Sequence, residues 1–503
     1  RCHSSPPAGR RRVASCAMAI WRLYLLPLLL LVLLRAFTSL PTQAAARGGA
    51  DPSSGIGDGK HGSFSRNLLQ DKPEITEEMT RGYMSNSELE VAVKDFGRRC
   101  ANVSRVYSIG KSVNGSPLWV VEISDKPGQR EAEPAFKFIG NVHGDEPVGR
   151  EVLMQLAYWL CDNYLKDPLA TLIVENTHLH ILPTLNPDGF ALRRRGNANN
   201  IDLNRDFPDQ FFPINDDINY RQPETRAIMS WIKQEHFTAS ATLHGGALVA
   251  NYPWDGSRDK RKQYYGCPDD KAFRYMASVY SQSHYNMSLS KEFRGGITNG
   301  ALWYPIYGGM QDWNYIHGGC FELTLEISDV KWPKASELLV IWKQNKMSML
   351  NLVASLVKTG VHGRIFAADT GRPIPGSLMV KGIDSKLSAS RTFGDYHRIL
   401  APGESYEVVA SMEGFTPKRT RIMLEREAMN LDFILDPDGT NAQTKPLPND
   451  CGCDDGVKPF LIREAYLWMY LLILFFLLAL YVLFRRRISS RLARNPPKRP
   501  VAV

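Results

Sequence analysis

The central part of this 503-residue sequence carries little net charge, although the whole chain has a formal net charge of +9. Residues 485–503 carry seven positive charges and no acidic residue, and the segment before Met18 adds more. The region between these two ends is therefore much closer to neutral and offers no extended surface for phosphate groups. This charge distribution excludes nucleic-acid binding as the function.

The sequence also has no convincing internal repeat and no abundance of charged residues. Charged residues make up 22% and hydrophobic residues 44% of the chain. These values are typical of globular proteins and exclude wholesale disorder. A length of 503 residues is long for one domain, so we expect two or three folded units with tails.

Two apolar segments predict where the chain resides. Arg22, an apolar run over residues 23–34 and small residues at 44–46 predict a secretory signal peptide over residues 18–46, with residues 1–17 upstream of the true initiator. Residues 465–484 contain no charge and are followed directly by three arginines. They predict a transmembrane helix with a basic cytosolic tail over residues 485–503. The alternative, a buried core helix, leaves the arginines unexplained.

This arrangement predicts a single-pass type I membrane protein of the Golgi, endosome or plasma membrane, with most of the chain lumenal or extracellular. Such a compartment permits disulfides, and the six cysteines of the predicted lumenal part allow 15 pairings. We favour the pairs Cys100–Cys161 and Cys267–Cys320. A zinc site at Cys451 and Cys453 has little support. Three sequons predict surface glycans, at Asn102, Asn114 and Asn286.

The order of predicted elements indicates two folded units. Residues 47–79 read as a flexible leader, and strands at 135–142, 177–182, 239–244 and 321–327 then alternate with helices at 147–164, 224–235 and 334–356. This alternation predicts an α/β domain over residues 80–358, with a mixed, largely parallel sheet flanked by helices. Short alternating runs predict a small all-β sandwich over residues 359–436, followed by a stalk at 437–464.

One motif with metal-binding potential lies at the end of a predicted strand. His143 and Glu146 are three residues apart and can converge on one metal from a turn. Catalytic zinc sites commonly use two histidines and one glutamate, with a fourth position left for water. His244 ends a different predicted strand and is a candidate third ligand. Taken alone, the pair is more often a solvated loop, and a lone histidine is more often structural.

The joint pattern resembles the regulatory (N/E) subfamily of zinc metallocarboxypeptidases. The matching motifs keep their order over roughly residues 80–358, and the transthyretin-like β domain of that subfamily matches residues 360–435. One catalytic domain, a membrane span and a short tail resemble the plant membrane-bound members. The matching motifs are His143-Gly-Asp-Glu146, Asn186-Pro-Asp-Gly189, Ile201-Asp-Leu-Asn204-Arg205, Leu243-His244-Gly-Gly, Asn251-Tyr-Pro-Trp-Asp255, Gly296-Ile-Thr-Asn-Gly300, Gly308-Gly-Met-Gln311 and Leu325-Glu326.

The resemblance implies a role for each matching residue in catalysis. It implies one Zn²⁺ bound by His143, Glu146 and His244, with Glu326 as the general base. It also implies that Arg195, nine residues before Asn204, stabilises the oxyanion, although the run of arginines at 193–195 is open to interpretation as a basic loop or a processing site. Glu322 has the same residue type as Glu326 but no matching place, and we interpret it as structural.

The remaining implied roles concern the substrate. Asn204 and Arg205 match the pair that holds the terminal carboxylate, and Tyr304 matches the mobile tyrosine that closes over the substrate. Asp255 and Gln311 match the base of the pocket for the released side chain, where a carboxylate favours Arg or Lys. Asp206 stands where relatives often carry asparagine, and its extra negative charge is expected to weaken carboxylate binding slightly.

The sequence therefore predicts a zinc-dependent exopeptidase that releases C-terminal Arg or Lys from peptides and proteins during peptide-precursor maturation. Two alternatives stay open. An inactive member of the subfamily would act as a binding protein, but the matched positions are all retained. A zinc deacylase of related fold would lack the basic-specificity pocket and the β domain.

Overall fold

The computed structural model describes residues 82–212 and 217–438, all of which belong to the compact unit Glu74–Val503. The predicted signal peptide, leader, transmembrane segment, cytosolic tail and the pair Cys451 and Cys453 lie outside the described residues. The same holds for the predicted stalk beyond residue 438 and for residues 80–81 of the predicted α/β domain. Within the described ranges, no helix combines the length and the apolar character that a bilayer span requires.

The described residues from 82 to 358 alternate strands and helices as the sequence predicts. The elements are α1 (Asn86–Arg99), β1 (Ser104–Lys111), β2 (Pro117–Ile123), β3 (Ala135–Gly140), α2 (Val148–Asn163), α3 (Pro168–Asn176), β4 (His178–Leu182), α4 (Pro187–Ala191), α5 (Pro223–Glu235), β5 (Ala239–His244), β6 (Ala247–Tyr252), α6 (Asp270–Ser283), β7 (Ile297–Asn299), α7 (Gly300–Trp303), α8 (Met310–Gly318), β8 (Phe321–Ser328) and α9 (Leu338–Lys358). Local chemistry defines their ends, as in α1, where Ser85 and Glu88 form a capping box.

The eight strands form one mixed sheet in the order β1-β2-β4-β3-β5-β8-β6-β7. The four central strands β4, β3, β5 and β8 are parallel. The pairs β1–β2, β2–β4 and β8–β6 are antiparallel, and β7 pairs parallel with β6. Helices α1, α2, α3, α6 and α9 contribute to the apolar core on one face, and α5 and α8 to the core on the other. The predicted α/β domain with a mixed sheet flanked by helices is thus confirmed.

A second, smaller unit follows α9 and contains strands only among its regular elements. Two sheets, in the orders β11-β10-β13-β14 and β12-β9-β15, enclose a separate apolar core, and β16 adds to β9. The prediction of a later β sandwich is confirmed. Its strands are β9 (Val361–Ala367), β10 (Ser377–Val380), β11 (Ile383–Ser388), β12 (Asp395–Arg398), β13 (Glu404–Ser411), β14 (Lys418–Leu424), β15 (Met429–Asn430) and β16 (Phe433–Leu435).

One of the two favoured disulfides is present. Cys100 and Cys161 are bonded, whereas Cys267 and Cys320 are separate buried thiols, so the predicted Cys267–Cys320 pair is wrong. The reason is topological, because Cys267 packs in the core on one face of the sheet and Cys320 in the core on the other. The Cys320 thiol instead donates to Ser240 Oγ at 3.2 Å.

A buried ion pair joins the sandwich to the α/β unit. Arg398 at the end of β12 donates to Asp269 Oδ1 at 2.6 Å and to Ser385 Oγ at 2.9 Å. The other oxygen of Asp269 accepts hydrogen bonds from Ser385 Oγ at 2.6 Å and from Tyr315 OH at 2.7 Å. Arg398 and Asp269 are each 2% exposed. Tyr315 lies on α8, so this contact also reaches the helix that carries Gln311.

We expect Arg398→Ala to lower the free energy of unfolding by about 3 kcal/mol, because the substitution leaves Asp269 as a buried charge without its partner. The second ion pair between the two units, Lys271 to Glu404 at 2.7 Å, is largely exposed and provides a matched control. Lys271→Ala should change stability by less than about 1 kcal/mol. Urea unfolding of both variants measures the difference, and equal losses would contradict the assigned importance of burial.

Candidate active site

Three ligand-type atoms converge at the edge of the sheet where β3 and β5 end. His143 Nδ1 lies 2.9 Å from Glu146 Oε2, and His244 Nδ1 lies 2.8 Å from the same oxygen. The two Nδ1 atoms are 3.1 Å apart. All three residues are buried. The structure therefore brings together the three residues that the sequence predicts as zinc ligands, from positions up to 101 residues apart.

This donor set fits zinc. Two imidazole nitrogens and one carboxylate oxygen lie within 4.8 Å of one another, and this is the set that catalytic zinc sites use while leaving a position for water. Calcium and magnesium prefer sites made of oxygen alone. The cofactor is therefore Zn²⁺, and these side chains are arranged to hold it.

The turn that carries His143 and Glu146 has little freedom. Asn141 adopts φ of 53°, a left-handed conformation that asparagine tolerates. Its side-chain amide donates to the His143 carbonyl at 2.7 Å and accepts from Thr184 Oγ1 at 2.8 Å. A Cβ on Gly144 would lie 2.1 Å from the backbone carbon of Gly189. The turn consequently packs directly on the loop that leads to Arg195.

Asp202 is a functional residue that the sequence analysis missed. Its Oδ1 accepts a hydrogen bond from His143 Nε2 at 3.0 Å, and its Oδ2 accepts one from Arg195 Nε at 2.8 Å. Burial opposes ionisation, but the hydrogen bond and charge of His143 and the charge of Arg195 lower the pKa of Asp202. A carboxylate behind a metal-binding histidine fixes the ring and leaves the other nitrogen free for the metal. The available signal was its place two residues before Asn204.

Lys331 is a second residue without a prior assignment. Its Nζ donates to Glu146 Oε1 at 2.9 Å, and Arg195 Nη1 donates to the same oxygen at 3.2 Å. Glu146 therefore directs one oxygen to the two histidines and the other to two cations. Lys331 lies in the segment after β8, where nothing in the sequence pattern singles it out.

Glu326 and Glu322 have different surroundings on the same strand. Glu326 is the register partner of His244 on the adjacent parallel strand, is 8% exposed, and has a buried Oε2 without a hydrogen-bond partner among the described residues. Burial raises its pKa to about 7, and the charge of Glu146 acts in the same direction. Glu322 instead pairs with Lys137 at 3.2 Å inside the core, as its structural interpretation requires.

The run of three arginines resolves into three separate roles. The Arg195 side chain contacts Glu146 and Asp202. Arg194 donates to the carbonyls of Asn197 at 2.6 Å and Ala198 at 2.5 Å. The guanidinium of Arg193 lies 5.0 Å from the centre of the Trp332 ring. Of the three, Arg195 is the one that reaches the metal-binding cluster.

The predicted carboxylate-binding pair lies on the 3-10 turn Leu203–Arg205. Asn204 Oδ1 accepts a hydrogen bond from the Met310 N–H at 2.9 Å, which fixes the turn to the start of α8. Gly308 has φ of +72°, and a Cβ there would lie 2.6 Å from the Arg205 carbonyl. The carboxylate of Asp206 accepts from the Gln222 N–H at 2.7 Å, which partly compensates its extra charge.

The predicted pocket base contains a buried carboxylate with one free oxygen. Asp255 Oδ1 accepts hydrogen bonds from Asn251 Nδ2 and Gln311 Nε2, both at 2.9 Å, whereas the buried Oδ2 has no partner among the described residues. Burial raises the pKa of Asp255 to about 6. Burial and the charge of Asp255 also raise the pKa of the neighbouring Asp312.

Tyr304 follows α7 and is 46% exposed, as expected for a side chain that closes over a substrate. Burial and the charge of Glu326 raise its pKa, and the charges of Arg205 and Arg195 oppose this shift. Its hydroxyl is therefore protonated at neutral pH and shares the electrostatic environment of the site.

The chain is similar to known carboxypeptidases. The sequence profile of the family described as zinc carboxypeptidase matches residues 89–348. Carboxypeptidase SOL1 of Arabidopsis thaliana is 66% identical over 411 residues, which are 81% of this chain and 84% of that protein. Carboxypeptidase D of Rattus norvegicus is 41% identical over 396 residues, which are 74% of this chain but 28% of the rat protein. The crystal structure of thrombin activatable fibrinolysis inhibitor has a TM-score of 0.47 and 18% identity, covering 56% of this chain and 75% of that one.

We expect Asp202→Asn to weaken zinc binding by roughly 10- to 100-fold, because the amide orients the His143 ring less firmly and no longer raises its basicity. Competition with a chromogenic chelator measures the affinity. Asp206→Asn, which removes a neighbouring carboxylate without a contact to His143, should leave the zinc affinity within a few-fold. Equal zinc affinity in wild type and Asp202→Asn would refute the role given to Asp202.

Proposed function

This chain belongs to the zinc carboxypeptidase family and is a metallocarboxypeptidase, and from this premise we propose that it releases C-terminal Arg or Lys from peptides in the secretory pathway. The observation that carries the proposal is the free, buried Oδ2 of Asp255. An ionised carboxylate in a pocket pairs with a guanidinium or ammonium group and leaves an aliphatic side chain facing a desolvated charge.

We assign the chemical step to Glu326. When bound by His143, Glu146 and His244, zinc supplies a Lewis acid for the scissile carbonyl and for the attacking water. Glu326 accepts the proton of that water and delivers it to the amine that leaves. A pKa near 7 suits both transfers, because the carboxylate is available as a base and its conjugate acid is strong enough to donate.

The cations of the site have separate tasks in this proposal. Arg195 stabilises the negative charge that develops on the carbonyl oxygen of the substrate. Arg205 and Asn204 bind the terminal carboxylate, for which the planar guanidinium provides paired donors. Asn204 accepts a hydrogen bond from the first residue of α8, and Gln311 of the same helix donates one to Asp255. Helix α8 therefore fixes the position of the carboxylate site relative to the side-chain pocket. Tyr304 closes over the bound residue.

The proposed location in the secretory pathway, as a type I membrane protein, rests on the predicted segments at 18–46 and 465–484. The Cys100–Cys161 disulfide supports it, because structural disulfides form in oxidising compartments. Asn102, Asn114 and Asn286 are all exposed, so each sequon is accessible to glycan transfer. Maturation of peptide precursors, whose processing leaves basic C-termini, is the role that we propose in this pathway.

We expect Glu326→Gln to lower kcat on an Arg-terminated peptide by on the order of 10³-fold, because the amide cannot accept the proton. Zinc content should stay at the wild-type value, since Glu326 is not among the three ligands. Glu322→Gln is the contrast: it should lower the unfolding temperature through the Lys137 pair but leave kcat of the folded enzyme within a few-fold. An intact kcat in Glu326→Gln would end the base assignment.

The preference for basic residues should depend on pH through Asp255. Its pKa is raised to about 6, so the carboxylate is charged above that pH and loses its charge as the pH falls through it. We therefore expect the ratio of kcat/KM for Arg-terminated over Ala-terminated peptides to fall below pH 6. Titration of Glu326 cancels in this ratio, because both peptides use the same base.

Asp255→Asn should lower that ratio by on the order of 100-fold and remove its pH dependence, because a desolvated charge pair is lost. Asp259→Asn, four residues further on and exposed, should behave as wild type. The measurement uses peptides that differ only in the last residue, with and without a chelator. An unchanged preference in Asp255→Asn would contradict the pocket assignment while leaving the zinc chemistry intact.

A further inference from the structure

A second group of ligand-type side chains lies at the other end of the sheet. Glu131 and Glu133 belong to the segment between β2 and β3, and His178 is the first residue of β4. One donor atom from each lies within 4.8 Å of the other two. Strands β3 and β4 are parallel and Ala135 is the register partner of His178. The group is therefore at the amino ends of strands whose carboxyl ends face the catalytic centre.

Each residue of this group has one buried polar atom without a hydrogen-bond partner among the described residues. These atoms are Glu131 Oε2, Glu133 Oε2 and His178 Nε2. His178 as a whole is 8% exposed. A buried polar atom without a partner is uncommon and costs free energy. All three side chains therefore have an atom that is free to bind a cation.

A second carboxylate lies near the imidazole of this group. His178 Nδ1 lies 4.0 Å from Glu122 Oε1, which is too far for a hydrogen bond. Glu122 is itself held by the Gly128 N–H at 2.6 Å and by Arg105 Nε at 2.8 Å. Its charge favours a cation beside His178 without occupying the ring nitrogens.

The ion pairs around Glu131 and Glu133 do not neutralise both carboxylates. Lys126 pairs with Oε1 of Glu131 and lies 3.4 Å from Asp125. This lysine is half-exposed, and it leaves Oε2 of both glutamates turned to the buried side. A divalent cation would neutralise the two carboxylates, which otherwise repel each other across less than 4.8 Å.

The group also has access to solvent ions. Its three residues line a cavity of about 1100 Å³ between the amino edge of the sheet and the β sandwich. Residues of the sandwich on the opposite wall include Ser385, Arg391 and His397. An ion can therefore reach the donors without passing through the catalytic centre.

We propose that Glu131, Glu133 and His178 form a second divalent-cation site, selective for Zn²⁺ over Ca²⁺. One imidazole and two carboxylates suit zinc, with water in the remaining position, whereas calcium requires six to eight oxygens. The bound ion ties the segment before β3 to the start of β4. It takes no part in hydrolysis, because it lies at the opposite edge of the sheet from Glu326 and His143.

The test counts zinc in the full-length enzyme after equilibrium dialysis against buffered free Zn²⁺. Wild type should hold two equivalents and Glu133→Gln one. Glu235→Gln, which removes another acid that lines the same cavity, should hold two. All three should hydrolyse an Arg-terminated peptide at the same rate. His143→Ala, which removes a catalytic ligand, should retain one equivalent, and the double variant Glu133→Gln with His143→Ala should retain none.

The same measurement has outcomes that overturn the proposal. One equivalent in wild type, or two in Glu133→Gln, would show that no second site exists at this place. A loss in Glu235→Gln equal to that in Glu133→Gln would assign the ion to the cavity as a whole and refute the specific ligands. His178→Gln should also hold one equivalent. If His178→Gln fails to fold, Glu133→Gln decides the test, since Glu133 lies in a half-buried loop position and its substitution disturbs the fold less.

Discussion

Three electron-rich atoms held 2.8 to 3.1 Å apart in a buried site repel one another unless a proton or a metal cation lies between them. Several features hold these atoms in place: the left-handed backbone conformation of Asn141, the close packing of Gly144 on Gly189, and the hydrogen bond between Asp202 and His143. Zinc binding releases this repulsion. Active-site geometry and stability are therefore linked through one ion, and the loops at this edge of the sheet depend on it.

Much of this arrangement was predictable because parallel strands bring their carboxyl ends to one edge. His143 follows β3, His244 ends the neighbouring strand β5, and Glu326 lies near the end of β8 beside His244. Contacts between irregular segments were not predictable in the same way. Lys331 reaches Glu146 from a loop without a pattern, and the proposed Cys267–Cys320 bond failed because spacing along the chain carries no information on which face of the sheet a thiol occupies.

The β sandwich is connected to the proposed substrate pocket through helix α8. Asp269 joins Arg398 of the sandwich to Tyr315 of that helix, and Tyr315 lies four residues after Gln311, about one turn along the same face. Gln311 in turn donates to Asp255. The sandwich therefore supports the helix that carries Gln311 of the proposed pocket, which gives a physical reason for its presence beside the catalytic unit, independent of any partner that it binds.

Unsatisfied polar atoms argue for an active enzyme over an inactive binding protein. Glu326 Oε2, Asp255 Oδ2 and His244 Nε2 are buried without partners among the described residues, and each costs stability that a chain released from catalysis has no reason to retain. The acids among these groups also differ in their surroundings and therefore in their pKa values. In the proposed mechanism, Asp255, whose pKa burial raises to about 6, pairs with the substrate, whereas Glu326, whose pKa burial raises to about 7, exchanges protons with water. Two buried acids thus serve recognition and chemistry because different neighbours set their charge.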